Sequence, residues 1–286
     1  MKRLFFIFGG LMLLALTACV NEKISIEDQF AGEKITVKAY MPEGNTPSTR
    51  VSYTLNDDGN PETNDPFVLS WSDGDAFSVI RGGENKIFTK SEGANDFTGT
   101  LPTAGSGDYY AVYPKTLDAN HERVLFDISM QEKLPYLMYT SSATGESFNF
   151  KHALAYLKLN ISFPSALYGE EDLLYIQLPE SSDEYFCPGG YLNISNGQVE
   201  LTADHLYYGG FIFKPVTFSN DGTSIEVMIA IPPIPQMTDP NRNKLYFSLD
   251  RSYNGVYYGA ELKRTNNEPI VAGNYYTASI ELVQFE

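Results

Sequence analysis

The chain is poor in the residues that build metal and redox sites. Its 286 residues include two cysteines, three histidines and one tryptophan. Cys19 and Cys187 are too few for a multi-cysteine zinc site. The three histidines, His121, His152 and His205, lie far apart, and no two of them have a metal-ligand spacing. A phosphate-cradling glycine loop is also missing, so we expect neither a metal nor a cofactor.

The chain has few positively charged residues. Lysine and arginine number 20 against 36 aspartates and glutamates, which gives a formal net charge of −16. A field of that sign repels the phosphate backbone of nucleic acid and anionic lipid headgroups. We therefore exclude nucleic acid as a partner and attribute the acidity to solubility.

Catalytic combinations of residues are scarce as well. His205 follows Asp204, but no serine or thiol signature accompanies them. Glu170 and Glu171 are adjacent on a predicted loop, where carboxylates are usually solvated rather than catalytic. A calcium-like stretch at 58–62 lacks the turn glycine of such loops and is better explained as a turn. The sequence predicts a protein that is not an enzyme.

The first nineteen residues are typical of an export signal. Lys2 and Arg3 precede an apolar run over residues 4–16, and small residues then lead to Cys19. The run is shorter than the roughly 20 residues that span a bilayer. Its ending resembles a bacterial lipobox, in which Cys19 is lipidated and begins the mature chain.

The lipobox resemblance divides the start of the chain. Residues 1–18 form the lipoprotein signal peptide, and residues 19–33 form a lipidated tether that holds the protein to a membrane through Cys19. With lipid on Cys19, Cys187 is alone and no intramolecular disulfide forms. We expect Cys187, beside a turn, to behave as a small hydrophobic residue.

Beyond residue 30 no long segment has helical periodicity. Short runs rich in valine, isoleucine, phenylalanine and tyrosine alternate with turn residues, which is typical of an all-β sandwich. The predicted strands are 34–40, 51–55, 67–71, 76–81, 86–90, 108–113, 124–129, 147–162, 173–178, 185–194, 198–202, 210–215, 224–231, 244–250, 256–263 and 275–283.

Turn residues divide this pattern further. Asn196-Gly197 and the turns at 220–222 and 254–255 predict hairpins. The polar stretch 164–172 predicts a boundary between an N-terminal β-sandwich at 34–165 and a C-terminal one at 166–286. The proline-rich segment 231–243 predicts a rigid surface loop rather than a central strand.

The first and last strands both alternate between apolar and polar residues, so we expect each to be half-buried. The apolar face of strand 34–40 consists of Ile35, Val37 and Ala39. The apolar face of strand 275–283 consists of Tyr276, Ala278, Ile280 and Leu282.

Several short motifs follow one another along the mature chain. They are Ser48-Thr49-Arg50 after the first strand, Trp71-Ser72-Asp73-Gly74-Asp75, Tyr109-Tyr110-Ala111-Val112-Tyr113-Pro114, Phe148-Asn149-Phe150-Lys151-His152-Ala153-Leu154-Ala155 and Val271-Ala272-Gly273-Asn274-Tyr275-Tyr276. In this order, behind a lipobox, the chain resembles a fimbrillin, a subunit of the lipoprotein-derived pili called type V.

This resemblance implies a fold and an assembly route. It implies two transthyretin-like β-sandwich domains in tandem, displayed at the outer membrane or on a surface pilus. An arginine-specific protease would cut between Arg50 and Val51 and release residues 19–50 with the first strand. A hydrophobic groove would open, and a strand from another pilus subunit would fill it by β-strand addition.

The place of the chain in a pilus stays open at this point. The last strand, 275–283, is either the donated strand, or the chain donates nothing and is a tip, accessory or anchor subunit. A tip subunit would bind a host or bacterial surface ligand. A surface glycan-binding lipoprotein is the alternative, weakened by the single tryptophan. A surface hydrolase is weaker still, because no catalytic set is found.

Overall fold

A computed structural model describes most of the chain after residue 32. The described residues are 33–42, 71–116, 123–167, 172–179, 186–202, 210–239, 244–251, 256–263 and 268–285. Within these ranges the regular elements are all strands, so the predicted all-β class is confirmed. Across the same ranges, no helix is long and apolar enough to cross a membrane.

Nineteen strands are described. They are β1 (Ile35–Tyr40), β2 (Ala76–Arg81), β3 (Glu84–Lys90), β4 (Asp96–Gly99), β5 (Tyr109–Tyr113), β6 (Arg123–Asp127), β7 (Met138–Ser142), β8 (Ser147–Asn149), β9 (Lys151–His152), β10 (Ala155–Ser162), β11 (Asp172–Gln177), β12 (Gly189–Asn193), β13 (Val199–Leu201), β14 (Phe211–Val216), β15 (Ser224–Ile231), β16 (Lys244–Arg251), β17 (Val256–Lys263), β18 (Tyr275–Glu281) and β19 (Val283–Phe285).

The largest sheet has eight strands in the order β8-β1-β4-β3-β2-β5-β7-β9. It surrounds one apolar cluster, to which seven of its strands contribute. Phe77 lies at the centre of this cluster, within 5.6 Å of the rings of Phe88, Phe97, Phe148 and Phe150. We call it the phenylalanine cluster. The aromatic rings hold these strands together through burial and through stacked and edge-to-face contacts.

Two further sheets form a sandwich. The central sheet has the order β15-β10-β18, and the outer sheet has the order β14-β11-β16-β17-β19. Alternate residues of both sheets meet in a second cluster, which we call the sandwich cluster and in which Leu159, Ile229, Leu174 and Phe247 are buried. The period-2 alternation places these apolar side chains on one face of each strand.

A small sheet with the order β13-β12-β6 completes the fold. Its residues join a third cluster with Tyr156 of β10 and Ala230 of β15, on the face of the central sheet that points away from the outer sheet. The central sheet is thus covered on both faces. β6 lies before residue 165, and its partner β12 lies after that residue. The domain boundary at 165/166 stays a prediction.

Several expectations about connections can be compared with the structure. Asn196-Gly197 joins the paired strands β12 and β13, with Gly197 at φ 77°, as a hairpin requires. The hairpin predicted at 220–222 is wrong, because β14 and β15 on either side of it belong to different sheets. Residues 51–55 and 254–255 lie outside the described residues.

Two other expectations are corrected. The described part of the proline-rich segment is not a surface loop, since Ile234 is 1% exposed and its backbone exchanges hydrogen bonds with Ile270. The predicted strand 147–162 divides into β8, β9 and β10. Likewise 275–283 divides at Leu282, where the chain passes from the central sheet to the outer sheet.

Candidate functional site

The first described strand lies inside a sheet rather than at its edge. β1 pairs antiparallel with β4, from Ile35 opposite Gly99 to Lys38 opposite Asp96. On its other side it pairs parallel with β8. We call the space that β1 occupies between β4 and β8 the first-strand slot.

The two faces of β1 divide as the alternation predicts. Val37 is 1% exposed and Ala39 is fully buried, and both belong to the phenylalanine cluster. Ile35 is partly buried and packs against the same cluster. Thr36 lies on the opposite, exposed face. The interior of the slot is therefore apolar, and its outer face is polar.

Backbone hydrogen bonds fix the carboxyl-terminal half of β1 on both sides. The Lys38 amide donates to the Glu146 carbonyl over 3.0 Å, and the Ala39 amide donates to the Asn95 carbonyl over 2.9 Å. The Phe150 amide donates to the Tyr40 carbonyl over 3.0 Å. On the rim, the Lys38 ammonium forms an ion pair with Asp96. The hydrogen bond to Asp96 raises the pKa of Lys38.

Trp71 binds directly to the first strand. Its indole Nε1–H donates to the Ala39 carbonyl over 2.8 Å. The ring lies edge-on to Phe97 at 4.9 Å and to Phe150 at 5.7 Å between centroids. With only 8% of its surface exposed, Trp71 forms part of the wall of the slot. The sequence marked this tryptophan as a motif residue, but nothing in it indicated the bond to Ala39.

A tight turn places Trp71 in this position. The Ser72 amide donates to the Asp75 carboxylate over 2.6 Å, and the Asp75 amide donates back to the Ser72 carbonyl over 3.0 Å. Gly74 takes the left-handed φ of 87° that the turn needs. The Tyr113 hydroxyl donates to the other Asp75 oxygen over 3.0 Å. This turn explains why aspartate and glycine follow the tryptophan in the motif.

Two other motifs pack against each other where the clusters meet. Along 148–155 the chain contributes to all three clusters in turn. The Gly273 amide of the terminal motif donates to the Leu154 carbonyl over 2.8 Å, and the Tyr156 amide donates to the Asn274 carbonyl over 3.0 Å. These motif residues join the parts of the fold and form no reactive site.

His152 is buried at this junction. Its Nδ1 lies 3.2 Å from the Tyr156 hydroxyl, and Nε2 has no hydrogen-bond partner. Burial lowers the pKa of His152 to about 4. It also raises the pKa of Tyr156 well above its usual range. Among the described residues no group of three or more histidine, cysteine or acidic side chains could hold a metal ion.

The last strands lie in a different part of the fold from β1. β18 pairs parallel with β10 over its whole length and lies at one edge of the central sheet. Ile280 and Leu282 are buried in the sandwich cluster, against which Tyr276 and Ala278 also pack. The two strands singled out from the sequence are therefore not brought together. Cys19, Arg50 and Val51 lie outside the described residues.

Comparison with known proteins assigns the chain to a family. The fimbrillin-like family matches residues 49–285. The chain is a member of this family. The resemblance drawn from its motifs is thus confirmed. In a separate comparison, no curated protein matches the chain.

Solved structures similar to this fimbrillin-like chain share little of its sequence. One is a candidate cell adhesion protein from Bacteroides ovatus ATCC 8483, with 13% identity, a TM-score of 0.53, and coverage of 90% of this chain and 97% of that one. A candidate cell adhesion protein from Bacteroides uniformis ATCC 8492 has 15% identity, a TM-score of 0.46 and coverage of 88% and 97%. The tip fimbrial protein Mfa3 from Porphyromonas gingivalis has 12% identity, a TM-score of 0.31 and coverage of 65% and 75%. The first likeness supports the all-β fold.

Family membership decides the broad class of function. Fimbrillin-like proteins are structural proteins rather than enzymes, so this chain is not an enzyme. At this level it is a pilus or adhesin subunit of the cell surface that associates with other subunits.

Proposed function

We propose that this fimbrillin-like chain is a lipoprotein precursor whose first strand is exchanged for a strand of another pilus subunit. Cys19 carries the lipid that holds the precursor at the outer membrane. An arginine-specific protease cuts between Arg50 and Val51 and releases residues 19–50. The first-strand slot then receives the partner strand.

The position of β1 carries this proposal. β1 precedes every other described strand and pairs on both sides, so its loss leaves the facing edges of β4 and β8 unpaired. Unpaired edges beside an apolar floor favour addition of another strand. A replacement that alternates apolar and polar residues would restore the backbone hydrogen bonds and cover the phenylalanine cluster. The cut at Arg50 makes β1 removable without a break in any other strand that the structure describes.

β18 is a poor candidate for the donated strand. Its pairing with β10 runs from Tyr275 opposite Tyr156 to Glu281 opposite Ser162. Withdrawing it would uncover Ile280 in the sandwich cluster, at a cost of about 1.5–3 kcal/mol for that side chain alone. We therefore place the chain among subunits that receive a strand at the slot and keep β18, as a tip or accessory subunit would.

The glycan-binding alternative loses its strongest feature. A sugar-stacking platform needs an exposed aromatic ring, but the single tryptophan is buried against β1. Surface tyrosines serve protein contacts equally well. We keep a host or bacterial surface ligand as a property of a tip subunit rather than as the main function.

Limited digestion with an arginine-specific protease tests the maturation step. We expect N-terminal sequencing of the large product to begin at Val51, and the fragment ending at Arg50 to dissociate when a partner subunit is added. Arg50→Lys keeps the positive charge and should abolish this cut. Arg81 is held within β2 by a 2.7 Å hydrogen bond to the Tyr109 hydroxyl, so it should resist digestion.

The outcome separates the alternatives. A terminus at Val51 together with high-mass assemblies supports strand exchange. The same terminus, with residues 19–50 retained in the presence of every subunit tested, would contradict exchange. An intact Arg50 in protein isolated from cells that assemble pili would contradict maturation and favour an uncut anchor.

A further inference from the structure

A second groove lies far along the chain from the first-strand slot. It has a volume of about 930 Å³ and opens between β14 at the edge of the outer sheet and β15 at the edge of the central sheet. Its lining includes Tyr136, Lys214, Pro215, Glu226 and Met228. None of these residues belongs to the phenylalanine cluster. The groove is therefore separate from the proposed strand-exchange site.

The free edge of β15 is capped at both ends. At one end the Gln131 side chain donates to the Ala230 carbonyl over 2.7 Å and accepts from the Ala230 amide over 3.0 Å. At the other end the Ser224 amide donates to the Ser219 hydroxyl over 3.0 Å, and the Ser224 carbonyl accepts from the Ser219 amide over 2.9 Å. Gln131 is fully buried, so this cap is part of the structure.

Two residues between the caps lack such partners. In an antiparallel strand alternate residues direct their amide and carbonyl groups to the same side. Because Ser224 and Ala230 direct theirs away from β10, Glu226 and Met228 do so too. Neither backbone has a hydrogen-bond partner on that side among the described residues. β15 thus presents the outward amides and carbonyls of Glu226 and Met228 to the groove as free donors and acceptors. We call these two residues the window.

The opposite wall of the groove, β14, cannot pair with the window of β15. The outward amide and carbonyl of Phe213 in β14 are bonded to Ser129 and Gln131. The next outward residue, Pro215, has no amide hydrogen. β14 therefore offers no continuous ladder, and the unpaired edge in the groove belongs to β15.

The groove also contains a cation without a counter-charge. Lys214 is half-buried, and its Nζ donates to the Glu132 carbonyl over 3.3 Å. No ion pair with it is found among the described residues, whereas Lys158 nearby pairs with Glu226 at 3.1 Å. Burial lowers the pKa of Lys214. A carboxylate entering the groove would relieve this desolvated charge.

We propose that the β14/β15 groove binds an extended peptide segment of a partner protein, which pairs with the window at Glu226 and Met228 and places an acidic side chain against Lys214. Main-chain pairing supplies affinity and the Lys214 contact supplies selectivity. This site goes beyond the strand exchange proposed above and shares no residue with it.

Binding of a designed peptide tests this site on the full chain carrying Arg50→Lys, in which the first-strand slot stays filled. The probe is fluorescein-labelled Thr-Val-Glu-Val-Thr, and its binding is followed by fluorescence anisotropy. We expect saturable binding that weakens roughly tenfold when glutamine replaces the peptide glutamate. A peptide N-methylated at every residue should not bind, because it cannot pair with an edge.

Protein variants locate the contact. Lys214→Gln should weaken the acidic peptide by the same factor and leave the glutamine peptide unchanged. Lys244→Gln is the matched control, since Lys244 pairs with Glu261 at 2.8 Å on β16. Hydrogen exchange should show new protection at the Glu226 and Met228 amides.

Three results would overturn the proposal. They are the absence of saturable binding, equal binding of the N-methylated peptide, and equal effects of the Lys214 and Lys244 variants. Because Arg50→Lys blocks maturation, these results do not depend on whether strand exchange occurs.

Discussion

Val37→Ala tests how strongly β1 is held in its slot. Val37 is 1% exposed and packs in the phenylalanine cluster. The substitution removes two methyl carbons from a packed site, at about 0.8 kcal/mol each for transfer. The cavity left behind adds to this, so we expect a loss of about 2–3 kcal/mol in the free energy of unfolding.

Urea unfolding followed by tryptophan emission measures this loss, because the single tryptophan is buried beside β1. Thr36→Ala, on the exposed face of the same strand, is the matched control and should cost no more than about 0.5 kcal/mol. After cleavage at Arg50, Val37→Ala should weaken retention of the 19–50 fragment about 30–150-fold. Equal costs for Val37→Ala and Thr36→Ala would refute the assigned faces of β1.

Two further perturbations test the interior of the fold. His152 has a pKa of about 4 in the folded protein, against the ordinary histidine value of about 6.5 in the unfolded chain, so stability is lost as pH falls from about 6.5 to 4. Between pH 7 and 5 this loss should reach about 2 kcal/mol, and His152→Gln should remove it from the pH profile of the unfolding free energy. Gln131→Ala breaks the cap on Ala230 and should cost about 2–4 kcal/mol in urea unfolding, whereas Gln198→Ala on an exposed hairpin should cost under about 0.5 kcal/mol. A small effect of Gln131→Ala would contradict the cap.

Strand positions could be predicted where the local pattern was strong. β2, β15 and β17 have the bounds that their apolar runs predict. β4 and β7 were missed, because β4 has only four residues and β7 is largely polar. Their burial comes from neighbouring strands, which a local pattern does not contain.

Features of the fold that depend on long-range pairing could not be predicted from the sequence. Ile234 was predicted at the surface because prolines surround it, but its bridge to Ile270 buries it. A lysine in a strand usually faces solvent, but Lys158 lies in an almost buried position, where it forms an ion pair with Glu226. Gln131 reaches Ala230 across 99 positions of sequence. None of these contacts has a signal in the surrounding residues.

For the same reason, only part of the first-strand slot could be predicted from the sequence. The faces of β1 followed from alternation, and Val37 and Ala39 are buried as expected. The bond from Trp71 to Ala39 depends on how β1 crosses the sheet. The groove beside Lys214 depends on the edges of two sheets, so neither feature could be derived from local sequence.

The emission of Trp71 during removal and replacement of β1 tests the central claim most directly. The precursor is cut at Arg50, the 19–50 fragment is separated, and emission is recorded before and after addition of a subunit that donates a strand. The account predicts a red shift when β1 leaves, because the indole loses Ala39 and gains water, and a return to the original wavelength when the slot is refilled. An emission maximum that stays unchanged after the fragment has been removed would contradict an open slot lined by Trp71.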